Sequence, residues 1–206
     1  LPELKSIQID DYCFKRAKEL LLVGLHSLES VSVGTDCFSS GDSNEEKPQG
    51  RFCLKDCERL TRVKIGGNSF THFAVCEIEC LDSLEVIEIG DRTIGSFEYT
   101  SELKVKNMPK LKSFTVGSWT FCECSRVVFE NLPELTSLQV GTDSLCFTRD
   151  ADSRELVMRD LPKLTDIVLS QGTFSGVSTL HTLNISPALE DLLSSFGSSD
   201  TASAPI

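Results

Sequence analysis

The sequence predicts a mainly β fold: a solenoid of about seven coils with two short strands per coil, closed by a short C-terminal capping helix. Three observations carry this expectation. One phrase recurs: Leu1-Pro-Glu-Leu4 returns as Leu132-Pro-Glu-Leu135, with close copies at Met108-Pro-Lys-Leu111 and Leu161-Pro-Lys-Leu164. Looser copies are Leu25-His-Ser-Leu28, Cys57-Glu-Arg-Leu60 and Leu81-Asp-Ser-Leu84. Each copy is followed by an apolar-x-apolar step and then by an apolar residue five positions later. A second apolar pair ends three residues before the next unit's first position.

In chain order the units are Leu4, Ile7, Ile9, Phe14; Leu28, Val31, Val33, Phe38; Leu60, Val63, Ile65, Phe70; Leu84, Ile87, Ile89, Ile94; Leu111, Phe114, Val116, Phe121; Leu135, Leu138, Val140, Leu145; and Leu164, Ile167, Leu169, Phe174. The period-two step sends alternate side chains inward, as in a short strand, and its β-branched residues suit one. Glycine follows at Gly34, Gly66, Gly90, Gly117 and Gly141, where a tight bend is expected. The second strands are expected at Leu20/Leu22, Phe52/Leu54, Cys76/Ile78, Leu103/Val105, Val127/Phe129, Leu156/Met158 and Leu183/Ile185. The segment 102–106 is too short and too regularly alternating for a helix. Asp56, Asn107, Asn131 and Asp160 follow these strands, either bonding the local turn backbone or simply tolerating the turn.

One unit of roughly 24 residues buries too little alone, so the coils must stack into a single array over 1–185. Residues 186–197 are expected to cap its end. Ser186 stands at the N-cap and Pro187 at the first helical position; Leu189, Leu192, Leu193 and Phe196 share a face before Gly197. Residues 198–206 are small and polar and are expected as a disordered tail. The first coil has no such cap, and the chain starts within a repeat without an initiator Met. The expected context is a longer protein; the alternative is end-to-end self-association through the uncapped N-terminal coil.

Strand positions facing away from the core form two columns: Ser6, Ser30, Arg62, Val86, Ser113, Ser137, Asp166 and Gln8, Ser32, Lys64, Glu88, Thr115, Gln139, Val168. Arg62, Lys64, Val86 and Glu88 should be neighbours at the centre, where interface hot spots concentrate. The loop at Phe97 and Tyr99 is a second candidate contact if both rings are exposed, although packing of Phe97 on the coil is the stronger expectation. Connections lengthen after Phe38, Ile94, Leu145 and Phe174, most of all over Ser39–Gly50 and Thr148–Arg154. Such loops either bind or are tolerated surface length.

Net charge is −11, without a basic stripe, which argues against nucleic acid as a partner. No long apolar run suggests membrane insertion. The nine cysteines fall mainly at repeat positions. The C-x3-C pairs Cys53/Cys57 and Cys76/Cys80 are read as packed thiols rather than a zinc site, because the repeat places Cys57 and Cys76 in the core. Cys13/Cys37 and Cys122/Cys146 share columns in consecutive coils, close enough for disulfides, with reduced thiols the favoured reading. The sequon at Asn184 is followed by Pro187 and says little of the compartment. His26, His72 and His181 occupy unrelated repeat positions, and no nucleophile motif, metal spacing or cofactor loop is found, so no enzymatic role or cofactor is expected.

These features resemble the leucine-rich repeat pattern L-x-x-L-x-L-x-x-N-x-L over residues 1 to about 185. They are most similar to the atypical repeats of large bacterial and protist surface-protein families. The family's inward asparagine position holds Tyr12, Asp36, Asn68, Arg92, Trp119, Asp143 and Gly172, so only Asn68 matches. The resemblance implies a protein-binding scaffold that uses its exposed strand face or insertion loops. The alternative is a structural or adhesive segment of a surface or filamentous assembly.

Overall fold

The computed structural model describes residues 3–39, 48–91, 94–148 and 153–196, with side chains to 194 in the last helix. Fourteen strands, β1 to β14 in chain order, alternate between two seven-stranded sheets among these residues. The front sheet takes β1 (Ser6–Ile9), β3 (Ser30–Val33), β5 (Arg62–Ile65), β7 (Val86–Ile89), β9 (Ser113–Val116), β11 (Ser137–Val140) and β13 (Asp166–Leu169). The back sheet takes β2 (Glu19–Val23), β4 (Gly50–Lys55), β6 (Phe73–Glu79), β8 (Glu102–Lys106), β10 (Arg126–Glu130), β12 (Glu155–Leu161) and β14 (Thr179–Ile185). Every neighbouring pair is parallel, and one helix, α1 (Pro187–Phe196), follows β14.

Period-two alternation sets the core. In β7, Ile87 and Ile89 are buried while Val86 and Glu88 face outward, and β5 and β9 repeat this in register. The buried residues of all coils form one continuous cluster between the two sheets. Leu84, Ile87, Leu111 and Phe114 lie fully buried in the middle coils, whereas Ile7 and Ile9 at one end and Ile167 and Leu169 at the other are only partly covered.

Left-handed backbone closes each coil. Tyr12, Asp36, Asn68, Trp119 and Asp143 adopt positive φ after the front strand, and the apolar residue two positions later does so too, from Leu145 at 52° to Phe70 at 58°. A bulky side chain there costs roughly 1–2 kcal/mol. Stacking offsets the cost. Phe14, Phe38, Phe70, Phe97 and Phe121 form a column with ring centroids 5.3, 4.6, 4.8 and 5.0 Å apart. Burying one such ring contributes about 1.5–3 kcal/mol and each ring pair about 0.5–1.5 kcal/mol more. The stack therefore outweighs the strain wherever the ring has neighbours on both sides.

This column corrects the fourth unit. Ile94 is not its aromatic-position residue: it is 46% exposed, and Phe97 fills the column fully buried. The extra residues precede Phe97 rather than follow it, and the run from Phe97 to Leu103 matches that from Phe14 to Leu20. Gly95, two residues before Phe97, accepts the amide of Asn68 on its carbonyl at 2.6 Å. Arg92 itself lies outside the described residues, as do most of the Ser39–Gly50 insertion, the middle of Thr148–Arg154, and the 198–206 tail.

Hydroxyl side chains stand one position before the aromatic column. Ser69, Ser96, Thr120 and Ser144 are fully buried. The Oγ of Ser96 donates to the Gly66 carbonyl at 2.7 Å and accepts the Ser69 amide at 3.2 Å. Ser69 and Ser144 donate likewise to Gly34 and Gly117, at 2.8 and 2.7 Å. Each of these hydroxyls so ties its own coil to the preceding one and satisfies turn groups that burial would otherwise leave unpaired. The Asx residues after the back strands do more than tolerate their turns. Asp56, Asn107, Asn131, Asp160 and Asn184 are all left-handed. The Asn131 amide donates to Asn107 Oδ1 at 2.9 Å and that of Asn184 to Asp160 Oδ1 at 2.8 Å, linking coil to coil.

The last back strand is shifted from its expected place. Leu180 and Thr182 pair with Leu156 and Met158, while Leu183 pairs with Arg159 on the outward face and is 62% exposed. Helix α1 then spans the stretch in which the next front strand would fall. The Ser186 hydroxyl caps it, accepting the Leu189 amide at 3.2 Å and donating to the Leu164 carbonyl. Leu189 and Leu193 are buried in the common core, with Leu192 partly so. At the other end Tyr12, Phe14, Leu21 and Val23 are each more than half exposed.

Candidate binding surface

The outward face of the front sheet carries short hydroxyl side chains on most strands, because each coil's two outward positions alternate with the buried pair. Its centre holds the four expected residues together. Arg62 is the register partner of Val86, and Lys64 that of Glu88. Arg62 Nη2 also reaches Glu88 Oε1 diagonally at 2.7 Å, with both side chains substantially exposed. Such a solvated pair contributes about 0–1 kcal/mol, so a competing partner can displace it cheaply. Lys64 pairs with no carboxylate among the described residues.

Beside these residues runs an open groove of about 540 Å³. Lys64, Glu88, Thr115, Gln139 and Val168 supply one wall, and the turns at Gly90, Gly117, Gly141 and Ser170 supply the other. Two of these glycines have no room for a side chain. A Cβ on Gly117 would lie 1.8 Å from the Asp91 carbonyl oxygen, and one on Gly141 would lie 2.5 Å from the Gly117 carbonyl carbon. Tight coil stacking thus leaves a wall made of main chain, and Val168, 52% exposed, adds an apolar contact at the far end.

Phe97 is not part of this surface. It sits in the core between Phe70 and Phe121, which corrects its candidacy as an exposed contact. Tyr99 is half-buried against His72, with ring centroids 5.1 Å apart, on the connection leading to β8 and away from the front strands. The Glu98 carboxylate and burial raise its phenol pKa.

The back face is built differently. The Glu77 side chain is only 9% exposed, and Arg51, Lys55 and Lys104 approach it at 2.6, 3.3 and 3.2 Å. Burial pushes its carboxyl pKa up, but hydrogen bonds from Arg51 and Lys104 together with Lys55 outweigh this and hold it at about 2. Further pairs continue the ladder: Lys55–Glu79, Lys106–Glu130, Arg126–Glu155 and Arg126–Glu102 at 3.4, 2.6, 3.1 and 3.4 Å.

All nine cysteines are free thiols. Cys57 and Cys76 are fully buried and Cys53 nearly so, while Cys80 is exposed at a left-handed turn position. Burial pushes Cys122 up to about 12 and Cys124 higher still, so neither is a thiolate at neutral pH. No helix among the described residues is long and apolar enough to cross a membrane. Against family models, curated proteins and solved structures, the chain gives no match.

Proposed function

We propose that this chain is a protein-binding scaffold of leucine-rich-repeat type. It presents the outward front face and its groove to an extended segment of another protein. The observation that supports this reading best is the contrast in how the two faces are satisfied. Back-face charges are bound to one another, so a ligand docking there must break partly buried pairs. Front-face hydroxyls and the exposed Arg62–Glu88 pair are cheap to desolvate, and the groove beside them has room for a chain. The reading assigns recognition by shape and hydrogen bonding, without a cofactor or catalytic step, and draws on neither nucleic acid nor a membrane.

The test is selective capture. Proteins retained by the unmodified chain should be lost from the double variant Arg62→Glu/Lys64→Glu and kept when residues 39–50 are replaced by a short Gly-Ser linker. If the linker variant loses them while the double variant keeps them, the insertion side binds and the front-face assignment is wrong. The second reading, a structural or adhesive segment, draws on the exposed Tyr12, Phe14, Leu21 and Val23 of the first coil. End-to-end association through that coil would cover them. Substituting Phe14→Glu should then lower self-association and leave partner capture unchanged.

A further inference from the structure

Strand β14 differs from the strands on which it stacks. Thr179–Ile185 contains no Asp, Glu, Lys or Arg. β4, β6, β8, β10 and β12 all carry charged pairs on the outward face, such as Arg126/Glu130 and Glu155/Arg159. One edge of β14 pairs with β12, and no strand among the described residues takes its other edge. Leu180 is 42% exposed and Leu183 is 62% exposed. The front sheet ends otherwise, with α1 seated on the last coil through Leu189 and Leu193.

Free edges of this length are normally blunted by charge, by proline or by a covering element, because their unpaired amides and carbonyls accept any incoming strand. β14 has no charge and no proline, and its residues from Leu180 to Asn184 stay exposed although α1 follows directly. We propose that β14 is the interface of a two-fold homodimer, in which it pairs antiparallel with β14 of a second copy.

The choice of a second copy follows from charge and symmetry. With a net charge of −11, two chains repel over most of their surface. At β14 they meet without acid on acid. A two-fold axis through the middle of the strand sets Thr182 opposite its own copy, a neutral pair. It sets Leu183 opposite His181 of the partner subunit on the outward side, and covers Leu180 on the inward side. Like pairs with like, so the contact is isologous and closes at two chains rather than growing into a fibre. The surface lies on the other sheet from the groove, so this inference stands or falls independently of partner binding.

Sedimentation velocity of the full chain over a range of concentrations tests it. The expected result is a concentration-dependent monomer–dimer equilibrium. Leu183→Lys should weaken it by about tenfold or more while circular dichroism and the melting temperature stay unchanged. Leu21→Lys/Val23→Lys, at the opposite end of the back sheet, should leave it intact. A chain that stays monomeric throughout overturns the proposal. So does a dimer broken by the Leu21/Val23 variant and not by Leu183→Lys, which would mean head-to-tail stacking. So does a monomer that dimerises only after residues 198–206 are removed, which would mean that the chain's own tail covers the edge.

Discussion

The front and back sheets share a strand count, a parallel register and a core, yet their outward faces differ in kind. On the back, Glu77 draws Arg51, Lys55 and Lys104 together across three neighbouring strands. On the front, Arg62–Glu88 is the one ion pair between strand residues among those described, and it is largely solvated. The difference is one of how much free energy is already committed. A charge network holds its strands in register but resists a ligand, since any newcomer must replace several partners at once. A field of serine and threonine contributes little to register and yields its water easily. The array thus places electrostatic cohesion on one side and availability on the other, with the shared core making the division possible.

The largest effect separates the core from either face. Ile87→Asp puts an unpaired charge between stacked coils at a fully buried site and should cost about 4 kcal/mol or more, enough to melt the array locally. Glu88→Gln, one residue away on the front face, should change stability by less than about 0.5 kcal/mol. Urea denaturation of the two variants gives the comparison. Equal midpoints would mean that the inward and outward positions are reversed.

Next comes acid. The folded pKa of Glu77 is held at about 2, below its ordinary 4.5. A depressed carboxyl contributes stability that is fully present above its unfolded pKa and lost as pH falls through the folded one. The window therefore runs from pH 4.5 down to about 2. The contribution is on the order of 3 kcal/mol at neutral pH. Glu77→Gln should remove it and flatten the pH dependence of unfolding across that window. A curve of unchanged steepness would assign the acid sensitivity to other carboxylates.

Ser96→Ala sharpens the contrast from the front. It leaves the Ser69 amide and the Gly66 carbonyl without their partner, at a cost of about 1–3 kcal/mol. The groups involved do not titrate, so this loss should persist at pH 3, where the loss from Glu77→Gln should have shrunk. If both variants respond to pH alike, the two sides are not held by different forces.

The front strands were legible because period-two alternation survives in each of them: the inward pair Ile87/Ile89 falls where the pattern puts it, as does the back-sheet segment 102–106. The adjacency of Arg62, Lys64, Val86 and Glu88 followed from the same period. What failed did so where length varied. Ile94 stands at the usual spacing after Ile89, and only the geometry of the aromatic stack reveals that Phe97 displaces it. Leu183 and Ile185 suit a strand alternation, but the helix replaces the next coil and removes the landmark that fixed their register. The hydroxyl ladder was invisible because serine and threonine beside a turn ordinarily need no explanation. The groove was invisible because half its wall is main chain, and main chain leaves no mark in a sequence beyond the glycines that permit it.

A small effect is also expected from charge reversal on the front face itself. Arg62→Glu/Lys64→Glu removes the Arg62–Glu88 pair and gathers three carboxylates on neighbouring outward positions. In a buried network that change would be severe. Here Arg62 is 54% exposed and Glu88 35%, so water and salt screen both the lost attraction and the new repulsion. The stability cost should stay within about 1 kcal/mol at low ionic strength and shrink further as salt is raised. The matched reversal on the back face, Arg51→Glu, should cost more because it strikes Glu77, whose side chain is only 9% exposed. Denaturation of both variants with and without added salt reads the difference directly. A front-face reversal as damaging as the back-face one, or equally insensitive to salt, would mean that the front charges are committed to the fold and not available to a partner.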